Sequence, residues 1–224
     1  MASKRSGCAI TPIRPPSAAS AARKPCKVGG TAPWTCGFFS TRLGIERAVP
    51  ALCGTLDVGA IGVGGHYIGA HSAGLLAGMK VFGPNGEAET FDGPRIKAVL
   101  MLCPTGRGQG LTQDSWKEMD LPMLMMTGPD DVSRRTGNDA AWRTEPFRVA
   151  APGEKFLVSV KGLDGTYGGL VGKQASLGEI GRYAQSGALA FRDASLKGDP
   201  EAKAWLESDA LASSSKGIVK VERW

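Results

Sequence analysis

Four short apolar runs, residues 58–63, 96–102, 121–126 and 156–160, constrain the fold of this chain more than any other feature. Each is the length of one strand, and each reads as a nearly continuous apolar stretch that needs cover on both faces. Loops and helical patterns separate them, which predicts a mainly parallel sheet covered by helices, an α/β class, in preference to a sandwich. Ile68, Leu75, Leu76 and Met79 fall along one side of a helix that ends before Gly83-Pro84. Ile180, Ala184, Ala188, Phe191 and Ala194 recur at three- and four-residue steps, a second helix able to lie on the sheet, weakened by Gly187. Asp199-Pro200-Glu201 is a helix start, with a carboxylate cap and proline in the first position, leading to Trp205 and Leu206. Turn chemistry at Gly83-Pro84-Asn85-Gly86 and Asp92-Gly93-Pro94 predicts a hairpin over 82–94, and Ile218, Val219 and Val221 predict a last edge strand.

At 224 residues and 42% apolar, the chain has material for one domain with a sizeable core. No apolar run approaches the roughly 18–20 residues of a membrane span, and the N-terminal region has no apolar signal core. Cys8, Cys26, Cys36, Cys53 and Cys103 are scattered and odd in number, without CxxC spacing, which favours reduced thiols in a cytoplasmic protein over disulfides or zinc. The net charge of +6 is local: Lys4, Arg5, Arg14, Arg23, Lys24, Lys27 and Arg42 precede the first acid, and the remainder is close to neutral. Residues 1–37 therefore read as a disordered basic tail and 38–224 as the domain, with Ile45, Val49 and Leu52 on short helical pieces limited by Pro50. The tail lacks interleaved aromatics and recognition motifs, so nucleic acid is not the expected partner. Its composition is unlike that of the domain, as a truncated or frameshifted beginning would be.

The most informative run is Gly64-Gly65-His66-Tyr67-Ile68-Gly69-Ala70, which comes after an apolar strand and opens a helix. That is the setting of a nucleophile elbow, G-x-S-x-G, in which flanking glycines let a strained turn present a serine beside a helix N-terminus. From about residue 42 to 213 the chain resembles the bacterial α/β-hydrolases grouped with dienelactone hydrolases. The stretches that carry the resemblance include Arg95-Ile-Lys-Ala-Val-Leu-Met-Leu-Cys-Pro104, Gly108-Gln-Gly-Leu-Thr-Gln-Asp-Ser-Trp116, Pro122-Met-Leu-Met-Met-Thr-Gly128 and Gly168-Gly169.

The resemblance implies a partial α/β-hydrolase fold and a set of site positions. Tyr67 stands at the nucleophile position, Asp131, with Asp130 beside it, at the acid position, and Gly165 of Gly162-Leu163-Asp164-Gly165 at the histidine position. The backbone N–H of Ile68 is the one oxyanion donor expected to remain, because the glycine-rich loop that supplies the other is not recognisable. Losing serine or histidine from such a triad costs on the order of 10⁶ in turnover, and a phenol with a pKa of about 10 and no evident base is a poor substitute.

The expected function is that of a relative of carboxylic-ester or lactone hydrolases, catalytically impaired, whose ligand class is a small ester or lactone. Two alternatives stay open. Ala70-His71-Ser72-Ala73-Gly74 fits a shifted elbow, which would make Ser72 the nucleophile of an active ester hydrolase. A non-catalytic binding protein with a basic tail is the other. His66 and His71 are expected to pack around the turn, with His71 one helical turn from Tyr67 and able to hydrogen-bond it; no metal and no cofactor is expected. Met123, Met125 and Met126 read as core, and Trp116 and Trp142 as packing. Without a partner from the N-terminal region, the strand at 58–63 becomes an apolar sheet edge that invites self-association.

Overall fold

The computed structural model describes residues 56–57, 59–133, 136–165 and 178–224. The chain divides into two compact units, Met1–Val58 and Gly59–Trp224, and the described secondary-structure elements belong to the second. In chain order they are strand β1 (Ile61–His66), helix α1 (Ile68–Leu76), strands β2 (Val81–Phe82), β3 (Ala88–Glu89), β4 (Ile96–Leu102) and β5 (Met123–Thr127), helix α2 (Ala140–Val149), strand β6 (Lys155–Val160), helices α3 (Glu179–Lys197), α4 (Pro200–Glu207) and α5 (Ala210–Ser214), and strand β7 (Val219–Arg223). The basic tail and the helical pieces expected at 45–52 lie outside the described residues.

The main sheet has the order β1-β4-β5-β6-β7; its first four strands are parallel and β7 is antiparallel to β6. It is a mainly parallel sheet covered by helices. All five residues of β5 are buried, and the first four alternate between two cores. Met123 and Met125 join Val99, Met101 and Leu157 on one face, under Ala70, Ala73 and Leu75 of α1 and Phe147 of α2. Leu124 and Met126 join Phe156, Val158 and Val160 on the other, under Ala184 and Phe191 of α3, Leu206 of α4 and Leu211 of α5. The two-residue period of the strand thus explains why the runs are apolar throughout: successive side chains face different helical layers. Trp116 is fully buried with the first core, as packing requires.

Several boundaries differ from expectation for local reasons. β1 begins at Ile61 and runs through Gly64 and Gly65 to His66, because all six positions pair with β4, so the turn is compressed into Tyr67. Helix α1 stops at Leu76: the N–H of Ala77 closes on the carbonyls of Ala73 and Gly74, and Gly78 takes φ 97°. Gly187, which weakens α3 by propensity, has a packing reason, since a Cβ there would lie 2.8 Å from Cε of Met126. The expected hairpin is the β2–β3 pair, and the expected cap of α4 is made by Asp199, which accepts from the N–H groups of Glu201 and Ala202. Helix α2, interrupted in its pattern by Pro146, and the short α5 were not expected. Among the described residues no strand pairs with the outer edge of β1, and no helix is long and apolar enough to cross a membrane.

Candidate functional site

Because β1, β4, β5 and β6 run parallel, their C-terminal ends lie along one edge of the sheet, where ligands of open α/β sheets bind. The loops leaving that edge carry Tyr67, Cys103, Asp131 and Gly165. The ladder continues past the strand ends: the N–H of Tyr67 donates to the carbonyl of Leu102 at 3.0 Å, and that of Cys103 to Met126 at 2.8 Å. Both residues are therefore held at the edge by the sheet itself.

Tyr67 has φ 54° and ψ −115°, a conformation that a non-glycine residue adopts at a cost of about 1–3 kcal/mol. It is the last residue before α1, and its carbonyl accepts the N–H of His71 at 3.1 Å, closing the first helical turn. The chain reverses so tightly that a Cβ on Gly65 would sit 2.0 Å from the carbonyl carbon and oxygen of Gly69. Glycine at 65 is required by that contact, whereas a Cβ at 69 would meet nothing within 4 Å. Ile68 follows the turn as the first helical residue, with its side chain 69% exposed, and no side chain caps the helix start.

The Tyr67 hydroxyl points into the position that a residue at 165 would fill. A Cβ on Gly165 would lie 2.6 Å from Oη and 2.9 Å from Cε2 of Tyr67. The phenol at 67 and the bare backbone at 165 are thus two halves of one steric arrangement. The ring of His66 stands edge-on to that of Tyr67, with centroids 4.9 Å apart.

Arg143, on α2, completes the cluster, and no motif in the sequence marks it as a site residue. Its guanidinium is fully buried and donates from Nη2 to Tyr67 Oη at 2.7 Å, and from Nη1 to the carbonyls of Cys103 and Pro104 at 2.9 Å each. Nε donates to the backbone carbonyl of Asp131 at 2.9 Å and stands 2.9 Å from that residue's Oδ1. Asp131 is also fully buried; its Oδ2 accepts from Thr127 Oγ1 at 2.9 Å. Oδ1 receives no aligned hydrogen bond, because Nε–H is aimed at the adjacent carbonyl, so its contact with Arg143 is electrostatic. Asp130 turns away and accepts the N–H of Gly162 at 3.0 Å, bracing the loop after β6.

Ser72 and Cys103 are not the residues that the sharp turn presents. Ser72 lies inside α1 and donates its hydroxyl back to the carbonyl of Ile68 at 3.2 Å, so the sharp turn is at Tyr67 and not at Ser72. Burial pushes the Cys103 thiol far above its ordinary range, reinforced by Asp131, which leaves it un-ionised. Trp142 is pinned by its indole N–H to the carbonyl of Arg107 at 2.8 Å. Among the described residues, no three His, Cys, Asp or Glu side chains are grouped to hold a metal ion.

Both histidines titrate below the ordinary imidazole value. Burial is the cause for His71 and the leading cause for His66, where the Gly165 backbone and Asp131 push upward and Arg143 downward. The unfolded chain then binds more protons than the folded one between those lowered values and about pH 6.5, so stability rises with pH across that window and is lost on acidification through it. Urea midpoints should therefore be lower at about pH 5.5 than at about pH 7.5, and the difference should shrink when His66 and His71 are both changed to Gln. A midpoint that is level between the two, or higher in acid, contradicts the assignment.

No family model matches the chain, and no curated protein matches it. Among solved structures it is similar to the crystal structure of the esterase domain from a Rhodothermus marinus protein, with 17% sequence identity and a TM-score of 0.40 over 68% of this chain and 69% of that one.

Proposed function

We propose that this protein is a relative of the serine hydrolases that cleave carboxylic esters and lactones, of the dienelactone-hydrolase type, whose reactive centre no longer forms an acyl-enzyme. The observation that carries the reading is the backbone of Tyr67, held at φ 54° and ψ −115° between a parallel strand and a helix, with a glycine at 65 that no other residue can replace. A strained turn of this kind serves to present a nucleophile, yet the residue presented is a phenol whose hydroxyl is bound by a guanidinium. Asp131 fits the acid's role: it follows the strand next but one to the elbow strand, is buried, and keeps an oxygen without an aligned donor, as an acid that has lost its histidine would. Gly165 supplies no imidazole. The ligand class implied by this ancestry is a small ester or lactone, held without being cleaved.

The test is labelling of the folded full chain with a fluorophosphonate probe, then peptide mapping. The parent should stay unlabelled at every serine, Ser72 included, and Tyr67→Ser combined with Gly165→His should gain slow labelling at position 67. Labelling of Ser72 in the parent would make this an active enzyme with another nucleophile and overturn the reading.

A further inference from the structure

We propose that Arg143 is a third determinant of the closed site: a positioning residue that holds the acid Asp131 and the Tyr67 phenol together, and that must be neutralised before a base at position 165 can work. The inference rests on reading the cluster as an altered serine-hydrolase centre. Three contacts place the guanidinium between the two ends of the old machinery. Nη2 is 2.7 Å from the Tyr67 hydroxyl, that hydroxyl is 2.6 Å from the position of a Cβ on Gly165, and Nε is 2.9 Å from Oδ1 of Asp131. An imidazole built at 165 would extend into the space of the phenol tip and meet the guanidinium before or beside the carboxylate.

Charge makes this more than a question of space. A serine-activating histidine must become an imidazolium as it takes the serine proton, and the buried acid stabilises that cation. Here the acid already faces a permanent cation, and a second positive charge would form next to the first, where like charges disfavour ionisation. Among the described residues, the charged groups around the spot are Asp131, Arg143 and Asp164, with the imidazole of His66 beside Tyr67. Arg143 cannot give up its charge, and its donors are bound to four oxygens of Tyr67, Cys103, Pro104 and Asp131. Replacing Tyr67 and Gly165 alone therefore leaves the lock in place.

The experiment compares the full chain carrying Tyr67→Ser and Gly165→His with the same chain also carrying Arg143→Gln, which keeps an amide donor for the carbonyls and removes the charge. Two signals are read: the NMR titration of the imidazole placed at 165, and the rate of fluorophosphonate labelling at position 67. In the double variant the imidazole should titrate below the ordinary value of about 6.5, and in the triple above it, an upward shift of at least about one pH unit, or tenfold in proton affinity. Labelling should accelerate by a factor on the order of 10² or more, the size of a restored general base. An imidazole that titrates above the ordinary value in the double variant overturns the proposal, and this holds whether or not the triple variant folds. Rapid labelling of both variants at equal rates rejects the role of Arg143 and leaves the hydrolase reading intact. The expected titration shift with both variants unlabelled keeps the role of Arg143 as partner of the acid and rejects the hydrolase reading.

Discussion

Changing Arg143 to Met should lower the stability of the protein by about 3–5 kcal/mol, a large share of the roughly 5–15 kcal/mol that holds a domain folded. The size comes from the groups the guanidinium leaves behind. Asp131 would be a carboxylate with no exposed surface, left with the Thr127 hydroxyl and the weak thiol of Cys103 as partners, while the carbonyls of Cys103 and Pro104 would each lose a donor. Removing one member of a buried ion pair is costly because the other charge stays out of water; removing both is much less so. Asp131→Asn added to Arg143→Met should therefore recover a substantial part of the loss. Lysine at 143 should recover little, since one ammonium cannot serve oxygens spread over Tyr67, Cys103, Pro104 and Asp131 as a planar fork does. Urea unfolding at neutral pH with unchanged m reads all three variants. A loss below about 1 kcal/mol for Arg143→Met, the range of an exposed ion pair, would show that the pair is hydrated.

The sheet is legible in the sequence because its strands obey a local rule. Residues 96–102 read as a strand with the observed ends, and β5, β6 and β7 within a few residues, since continuous apolar runs bounded by turn residues leave few alternatives. The sharp turn is legible from Gly65 and Gly69 about Tyr67, although only the first glycine proves sterically necessary. The surroundings that distant segments supply to each residue are not legible in this way. Arg143 lies 76 positions from Tyr67 and 40 from Cys103, and an arginine in a proline-containing segment reads as solvated surface. One signal is present: Arg143 precedes the buried Phe147 by four residues, which places it on the inward face of any helix there. A basic residue on an inward face has to have partners, and this one has the acid and the phenol. The expected hydrogen bond from His71 to Tyr67 likewise gives way to tertiary context, because the hydroxyl reaches forward to Arg143 and only the His71 backbone bonds to Tyr67.

The second large effect is a change of sign at Gly165. Its φ is not positive, so alanine suits the backbone, and by itself such a change stabilises by about 0.4–1 kcal/mol through the unfolded chain. In the parent that gain is overridden: the new methyl would lie 2.6 Å from Oη and 2.9 Å from Cε2 of Tyr67, well inside contact distance. The ring cannot swing aside without breaking its 2.7 Å bond to Arg143, and the backbone of Tyr67 is tied to Leu102. Gly165→Ala should therefore destabilise the parent by about 1–3 kcal/mol, the usual cost of overpacking. In a Tyr67→Ser background the space is open, and the same change should be neutral or stabilising. A double-mutant cycle from urea midpoints isolates this coupling from the separate cost of losing the phenol. Additive changes would mean that 67 and 165 vary independently; a sign reversal would mean that tyrosine at one position is sterically compatible only with a bare backbone at the other.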